Sequence, residues 1–289
     1  PQADRLPSLR ELLDKYNLRP RKGLGQHFLA DPNILRKIVA AAELSPDSVV
    51  LEIGPGLGTL TRQLAASAGR VVAVELDEAM VGVLRAELGH LSNLELVLGD
   101  ILQLDPADLI RGSRRLDPGS SLEYVVVANL PYYITSAALR HLLEADPPPT
   151  RLVLTVQREV ALRIVAGPGD MSLLAVSVQF YGQPRLVTRI PAGAFVPPPQ
   201  VDSALVRIDT YPTSPVDVPD TRAFFRVVRA GFGQKRKQLK NSLAAGLGLP
   251  AAQTSAALTR AGVDPRRRAQ TLSLEEWAGL AYELSGAWQ

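Results

Sequence analysis

Residues 49–58 read VVLEIGPGLG, an apolar run that passes directly into three glycines at alternate positions. Val49–Ile53 is typical of a buried strand, and Thr59–Ala68 has the apolar spacing of a helix. Glycines at such a junction let backbone N–H groups approach a ligand at the N-terminus of a helix. The G-x-G-x-G spacing differs from the G-x-G-x-x-G fingerprint of dinucleotide-binding proteins. By itself the loop is also compatible with a tight turn that binds nothing.

Strand and helix patterns alternate after this loop. Apolar strand patterns lie at Val71–Glu75, Leu94–Leu98, Tyr124–Ala128 and Leu152–Val156, and helical patterns lie at Glu78–Leu88, Ser136–Glu144 and Arg158–Ala166. Residues 171–180 fit either pattern, and Val187–Ile190 with Ala204–Ile208 are predicted to be closing strands. This alternation predicts an α/β fold with a mostly parallel sheet covered by helices on both faces.

A change in composition predicts a second domain. Tyr211–Asp220 holds three prolines in ten residues, which is typical of a linker. Beyond it the patterns at 221–245, 251–262 and 274–286 are helical. We therefore predict an α/β domain over residues 1–210 and a small all-helical domain over residues 211–289.

The composition excludes several kinds of site. The 289 residues include no cysteine and only three histidines, so disulfides, thiol nucleophiles, iron–sulfur clusters and Cys-type zinc sites are excluded. The histidines are far apart, and we expect no metal site. No apolar run is long enough to span a bilayer, and residues 1–22 lack the apolar core of a secretory signal. We expect a cytoplasmic protein that does not bind membranes and is a monomer.

The charges are unevenly distributed along the chain. Residues 43–108 hold eleven acidic residues and three arginines, whereas residues 222–240 hold seven basic residues and no acidic one. Arg266, Arg267 and Arg268 add three more cations. A basic run of this kind is either a solvated helix face or a nucleic-acid contact, and the sequence alone leaves both open.

Two acidic residues follow consecutive predicted strands. Glu75 ends the second strand, where a carboxylate commonly accepts both hydroxyls of a ribose. Asp100 follows the third strand and can accept a hydrogen bond from an adenine amino group. Each carboxylate alone could be a helix cap or a surface acid. Together they predict an adenosine pocket, without distinguishing NAD from S-adenosylmethionine.

The fourth strand ends in Asn129-Leu130-Pro131-Tyr132, which points to chemistry on a base. The exocyclic amine of adenine is a weak nucleophile, because its lone pair is delocalised into the ring. An Asn oxygen and a rigid backbone carbonyl can accept its two N–H bonds, while an aromatic ring stacks on a base taken out of its stack. Asn129, Leu130 and Tyr132 are therefore the predicted catalytic group. The alternative is a strand ending in a proline turn with a core tyrosine.

These motifs resemble the small-subunit ribosomal RNA adenine N6,N6-dimethyltransferase family. The residues that carry the resemblance are Gly25–Leu29, Glu52–Gly58, Val74–Asp77, Gly99–Asp100, Asn129–Thr135, Phe195–Ser203 and Gln234–Leu243. The resemblance implies a class I S-adenosylmethionine-dependent methyltransferase domain with a Rossmann-like fold. It implies methyl transfer to N6 of two adjacent adenosines in a hairpin near the 3′ end of small-subunit rRNA.

The resemblance also assigns roles to single residues. His27, Leu29 and Gly54 would contact the cofactor, and Asn129 would lie between the cofactor and the target base. Tyr132 and Phe195 would stack on the two faces of that base. Other members often have Asn at the position of His27. Lys235, Arg236 and Lys237 lie in the C-terminal signature and are expected to bind RNA.

Three other functions compete with this one. Large-subunit rRNA adenine methyltransferases of the macrolide-resistance type share the catalytic motif. A non-catalytic ribosome-assembly or transcription factor could use the same fold. A dinucleotide oxidoreductase is disfavoured by the glycine spacing. We expect Tyr132→Phe to be largely tolerated, since the ring performs the stacking.

Overall fold

The computed structural model describes residues 9–21, 23, 25–112 and 122–286. Residues 1–8 of the first predicted domain and residues 287–289 of the second lie outside the described residues. Residues 1–8 are also part of the polar N-terminus discussed above.

The described chain divides into two compact units, and the division differs from the predicted one. The first unit comprises the described residues up to Ala161 together with Arg185–Thr210. The second comprises Leu162–Pro184 and the described residues from Tyr211 onward. The prediction had assigned all of residues 1–210 to one domain. Residues 162–184 belong to the second unit because Met171 and Phe180 share a buried core with its C-terminal helices.

The first unit contains the strands of the described chain, apart from the first three residues of β7. They are β1 (Phe28–Leu29), β2 (Val49–Ile53), β3 (Arg70–Glu75), β4 (Leu94–Leu98), β5 (Val125–Asn129), β6 (Arg151–Gln157), β7 (Gly182–Ile190), β8 (Phe195–Val196) and β9 (Ser203–Thr210). Its helices are α1 (Leu9–Lys15), α2 (Pro32–Ala42), α3 (Thr59–Ser67), α4 (Glu78–Leu88), α5 (Pro106–Arg111) and α6 (Thr135–Leu143). The chain passes between the units within α7 (Arg158–Ile164), within β7 and after β9.

Seven strands form one sheet, in the order β4-β3-β2-β5-β6-β9-β7. The five strands from β4 to β6 are parallel, and β9 is antiparallel to β6. The chain first moves outward from β2 to β4 and then returns to β5. The strand order therefore reverses between β2 and β5, and ligands of open α/β sheets bind beyond the carboxyl ends of the strands at such a point.

A short segment ahead of the sheet is held by backbone pairing. β1 pairs antiparallel with β8, with Phe28 opposite Val196 and Leu29 opposite Phe195. Farther toward the N-terminus, the Lys15 ammonium and the Tyr16 hydroxyl each lie 2.6 Å from Glu87 of α4. Residues 15–29 are thus tied to the first unit at both ends.

The second unit is helical, as predicted for the C-terminal region. Its helices are α8 (Leu173–Gln179), α9 (Thr221–Phe232), α10 (Leu239–Leu247), α11 (Ala251–Arg260) and α12 (Leu274–Ser285). Phe180, Phe224, Phe225 and Trp277 lie in its core. The expected single helix over 221–245 is wrong, because residues 233–238 form turns between α9 and α10. None of the helices described is long and apolar enough to cross a bilayer.

Candidate active site

A cavity of about 220 Å³ lies in the first unit at the carboxyl ends of β2, β3 and β5. This is where the reversal of strand order predicts a ligand site. Seven of the residues predicted from the sequence line it, namely His27, Gly54, Glu75, Asp100, Asn129, Leu130 and Tyr132. Residues far apart in the sequence are thus brought together by strands that end at one edge of the sheet.

The glycine loop after β2 needs its glycines for two separate reasons. Gly54, Gly56 and Gly58 have φ values of 70°, 57° and 80°, a region in which other residues are strained. A Cβ on Gly56 would also lie 2.9 Å from the Phe28 ring. The loop therefore lies against the N-terminal segment as closely as a bare backbone allows.

Glu75 is buried at the cavity wall and is held by two backbone donors. The N–H of Gly56 donates to Oε2 at 3.0 Å, and the N–H of Asp77 donates to Oε1 at 2.9 Å. Only 8% of the residue is exposed, and burial raises the pKa of its carboxyl above the ordinary value in spite of these bonds. The backbone N–H of Leu76 also stabilises the ionised carboxyl, and the lone pairs that remain can accept a hydroxyl from a ligand.

Glu52 lies on β2, two residues before Gly54 of the glycine loop, and is a second buried carboxyl. It is 1% exposed, and Oε2 has no hydrogen-bond partner. Burial raises its pKa to about 8, and the nearby charge of Glu75 acts in the same direction. Burial therefore favours the protonated form of Glu52, a consequence that the sequence pattern did not indicate.

Asp100 lines the cavity and also closes a turn, because its Oδ1 accepts the N–H of Leu102 at 3.0 Å. Apolar side chains flank it, among them Leu76, Ile101 and Leu102. Leu76 is 50% exposed although it is apolar. Such side chains can cover the faces of a planar ring, and their position directly after Glu75 and Asp100 is the signal that could have identified them.

Asn129 ends β5, and its side-chain amide is oriented by a defined contact. Nδ2 donates to the backbone carbonyl of His27 at 2.9 Å. The imidazole Nδ1 of His27 lies 2.8 Å from the carbonyl oxygen of Pro197. Because the nitrogen of the amide faces the N-terminal segment, its oxygen remains as an acceptor in the cavity wall.

The turn after Asn129 is rigid at the backbone. The Leu130 N–H donates to Thr155 O on β6, and the Pro131 carbonyl accepts the N–H of Ile134. Tyr132 begins a single 3-10 turn, and its half-buried ring lines the cavity. The ring of His27 lies nearly parallel to it, with centroids 6.1 Å apart.

Two predicted site residues do not line this cavity. Leu29 is 4% exposed and Phe195 is 2% exposed. They are paired with each other through β1 and β8, and both side chains belong to a core with α2 and α3. Stacking of Phe195 on a base has no support in this arrangement, because packing in that core takes up its ring.

The basic residues lie in the second unit. Lys235, Arg236 and Lys237 are exposed and lie in the turns between α9 and α10 rather than on a helix. An open groove is lined by Arg229 of α9, by Gln234 of these turns and by residues of α10. Both interpretations of these three cations, a solvated surface and a nucleic-acid contact, therefore stay open.

The described residues hold no group of three or more His, Asp or Glu side chains that could bind a metal ion. The cavity therefore offers carboxylate and amide acceptors together with apolar surface and an aromatic ring. This combination suits an adenosine-containing ligand and a planar base.

The chain is similar to several rRNA methyltransferases. Proteins named ribosomal RNA small subunit methyltransferase A are 48% identical in Dehalococcoides mccartyi (strain CBDB1), over 96% of this chain and 92% of the relative, and 45% identical in Moorella thermoacetica, over 94% and 95%. Among solved structures, the 23S rRNA methyltransferase ErmE is 30% identical, with a TM-score of 0.69 over 89% of this chain and 99% of its own. A dimethyladenosine transferase from Plasmodium falciparum is 26% identical, with a TM-score of 0.70 over 90% and 98%.

A family model described as ribosomal RNA adenine dimethylase matches residues 17–285, which include every element of the cavity. The fold is the expected Rossmann-like methyltransferase sheet followed by helices. On this match and on the identity to its relatives, the chain belongs to the ribosomal RNA adenine dimethylase family.

Proposed function

We propose that this protein transfers methyl groups from S-adenosyl-L-methionine to N6 of two adjacent adenosines near the 3′ end of small-subunit (16S-type) rRNA, giving N6,N6-dimethyladenosines. The observation that carries the proposal is the Asn129 amide, which the His27 carbonyl orients beside a cavity that holds two acids. The family and the names of its relatives support the same reaction.

The carboxylates and the glycine loop that line the cavity fit S-adenosyl-L-methionine. Glu75 would accept the ribose hydroxyls, Asp100 the adenine amine, and Gly54 would leave room for the methionine part. The apolar side chains of Leu76 and Ile101 would cover the adenine faces. When bound, this cofactor supplies an electrophilic methyl group on a sulfonium.

The catalytic role proposed for the chain is to position and polarise the target amine. The Asn129 oxygen and the Leu130 carbonyl would accept the two N6 hydrogens, which directs the nitrogen lone pair toward the methyl donor. The Pro131 carbonyl is already used within the turn, so Leu130 is the adjacent backbone acceptor. The Tyr132 ring would stack on the base, and the proton of the methylated amine would pass to water.

Small-subunit rRNA is favoured over large-subunit rRNA. The two relatives described above that carry the small-subunit name are 48% and 45% identical, whereas the 23S rRNA enzyme ErmE is 30% identical. The exposed cations Lys235, Arg236 and Lys237 would contact RNA phosphates. We further propose that the protein acts as a monomer on the small subunit in the cytoplasm, where ribosomes are assembled.

Methylation of purified unmodified subunits tests this function. Small and large subunits are incubated separately with labelled S-adenosyl-L-methionine, and the rRNA is digested and analysed by mass spectrometry. We expect two N6,N6-dimethyladenosines from the small subunit alone. Product in large-subunit rRNA would favour the macrolide-resistance activity. Cofactor binding without product from either subunit would favour a non-catalytic assembly factor.

A further inference from the structure

Ser203 contacts the proposed base-stacking ring from outside the cavity. Its Oγ lies 2.8 Å from the hydroxyl oxygen of Tyr132, and the serine is completely buried. Ser203 is not among the residues that line the cavity. It reaches the site only through this hydrogen bond.

The position of Ser203 is fixed by its surroundings. The residue begins β9 and is paired with Gln157 of β6. The preceding Asp202 accepts the N–H of Ala192 at 3.0 Å and forms an ion pair with Arg189, while its carbonyl accepts the N–H of Arg158. An anchor held by a strand ladder and a bonded turn moves little.

The Tyr132 ring, in contrast, lies beside the nearly parallel His27 ring but stands on a short turn. It stands on a 3-10 turn of three residues, none of which is buried. A half-buried tyrosine on such a turn can change rotamer unless its far end is held. A hydrogen bond at the hydroxyl restrains the ring at the point most distant from the backbone.

We propose that Ser203 is a positioning residue that orients the Tyr132 ring to receive the flipped adenine, an inference that rests on the proposed function. A ring held in the stacking orientation before the base arrives avoids the cost of ordering it during binding. The expectation that Tyr132→Phe is largely tolerated is therefore replaced, because that change removes the restraint while keeping the stacking face.

The test compares Ser203→Ala, Tyr132→Phe and the double variant in single-turnover methylation of small subunits. Loss of one hydrogen bond of this kind is expected to reduce the rate at subsaturating RNA about 3- to 10-fold. The double variant should be no slower than either single variant, because all three lack the same bond. Cofactor affinity by calorimetry should be unchanged.

A second readout follows the base directly. Small subunits reassembled with 2-aminopurine at the target position report stacking of the flipped base through fluorescence quenching. Ser203→Ala and Tyr132→Phe should both reduce the quenching. Tyr124→Phe is the matched control, because the Tyr124 hydroxyl donates to the Pro147 carbonyl at the opposite end of β5. It should lower stability without altering quenching or rate.

The possible outcomes distinguish failure of the positioning role of Ser203 from failure of the proposed methyl transfer. Additive losses in the double variant, or a normal rate and quenching for Ser203→Ala, would overturn the positioning role. Tyr132→Phe gives an independent result if Ser203→Ala fails to fold, since its hydroxyl can be removed without changing the strand. Wild-type protein that produces no dimethyladenosine would refute the proposed function itself.

Discussion

Glu75 combines two demands at the scale of a single residue. Its oxygens accept the N–H groups of Gly56 and Asp77, so the carboxylate closes the glycine loop and the turn before α4. The same oxygens face the cavity, where a ribose is proposed to bind. An amide has only one oxygen in place of two. Its NH₂ group would face a backbone N–H donor, or would lie where the carboxylate accepts a ribose hydroxyl.

We therefore expect Glu75→Gln to weaken cofactor binding by about 10- to 100-fold at neutral pH, from the loss of charge-assisted hydrogen bonds. The raised pKa of Glu75 adds a pH dependence with a defined sign. As the pH falls through this pKa, the wild-type carboxylate is protonated and affinity should decline, whereas the variant should not show this decline. Calorimetric titration between pH 5 and pH 8 measures both effects. Equal affinity of the two proteins at pH 8 would exclude Glu75 from the binding site.

Glu52 is expected to reduce stability as the pH rises. Its folded-state pKa of about 8 lies above the ordinary value of 4.5, so the folded protein binds more protons than the unfolded chain between these values. The free energy of unfolding then falls with increasing pH, by up to about 1.4 kcal/mol per pH unit from this group. Glu52→Gln cannot titrate and should remove this contribution. Urea unfolding at pH 5, 6, 7 and 8 gives the slope of the free energy of unfolding against pH for the wild type and for Glu52→Gln. Identical slopes for the two proteins would mean that Glu52 is ionised in the folded protein.

Asn129→Ala should affect the chemical step more than binding. The amide oxygen is proposed to accept an N6 hydrogen as positive charge develops on the nitrogen, so this interaction strengthens toward the transition state. Removal of one preorganised polar group of this kind costs about 100- to 1,000-fold in rate. Single-turnover methylation at saturating RNA and cofactor isolates that step. A near-normal rate would exclude the proposed role of Asn129.

At the scale of elements, the strands around the cavity were predictable from the sequence. The predicted Val49–Ile53, Glu78–Leu88 and Leu94–Leu98 have the observed bounds, and the ends of β3, β5 and β6 differ from the prediction by at most one residue, whereas β7 begins five residues earlier than predicted. Strands buried in a parallel sheet have nearly continuous apolar sequences, so their ends can be located in the sequence. The residues directly after these strands could be assigned to one site because parallel carboxyl ends meet at one edge.

Contacts between distant segments could not be predicted in this way. The bond from Asn129 to the His27 carbonyl joins residues 102 positions apart, and the bond from Tyr132 to Ser203 joins residues 71 apart. Neither bond has a periodic signature. Phe195 is paired with Leu29 and both are buried in one core, whereas their expected ligand contacts came from the family resemblance alone.

The break between α9 and α10 was also not predictable from the sequence. The helical pattern predicts one basic helix through the seven cations between residues 222 and 240, but α9 ends at Phe232. Residues 233–238 form turns, and Lys235, Arg236 and Lys237 are exposed in these turns rather than on a helix. Charge composition does not reveal such a break, because the local signals of a helix end are the glycines Gly231 and Gly233.

At the scale of the whole molecule, opposite charges are concentrated in different units. The acidic block of residues 43–108 belongs to the unit that holds the cavity, and the basic run of residues 222–240 belongs to the helical unit. An acidic cavity suits a cationic sulfonium cofactor, and a basic unit suits polyanionic RNA. This division predicts that the two binding functions can be changed separately.

A matched set of substitutions tests the division. Lys235, Arg236 and Lys237 are changed together to Ala in the helical unit. The control changes three exposed cations on α2 and α4 of the first unit to Ala, namely Arg36, Lys37 and Arg85. Both variants lose three positive charges, so a difference between them reflects position rather than net charge.

The change in the helical unit should weaken binding to small subunits and reduce its dependence on salt. Each cation that contacts a phosphate contributes about 0.7–0.9 to the slope of log affinity against log salt concentration, since binding releases condensed counterions. Three contacts would lower the slope by about 2, whereas the control should change it much less. Affinity for S-adenosyl-L-methionine should stay at the wild-type value, because the cavity lies in the other unit. Filter binding between 50 and 300 mM salt measures the slope, and equal slopes for both variants would mean that these three cations are solvated in the complex.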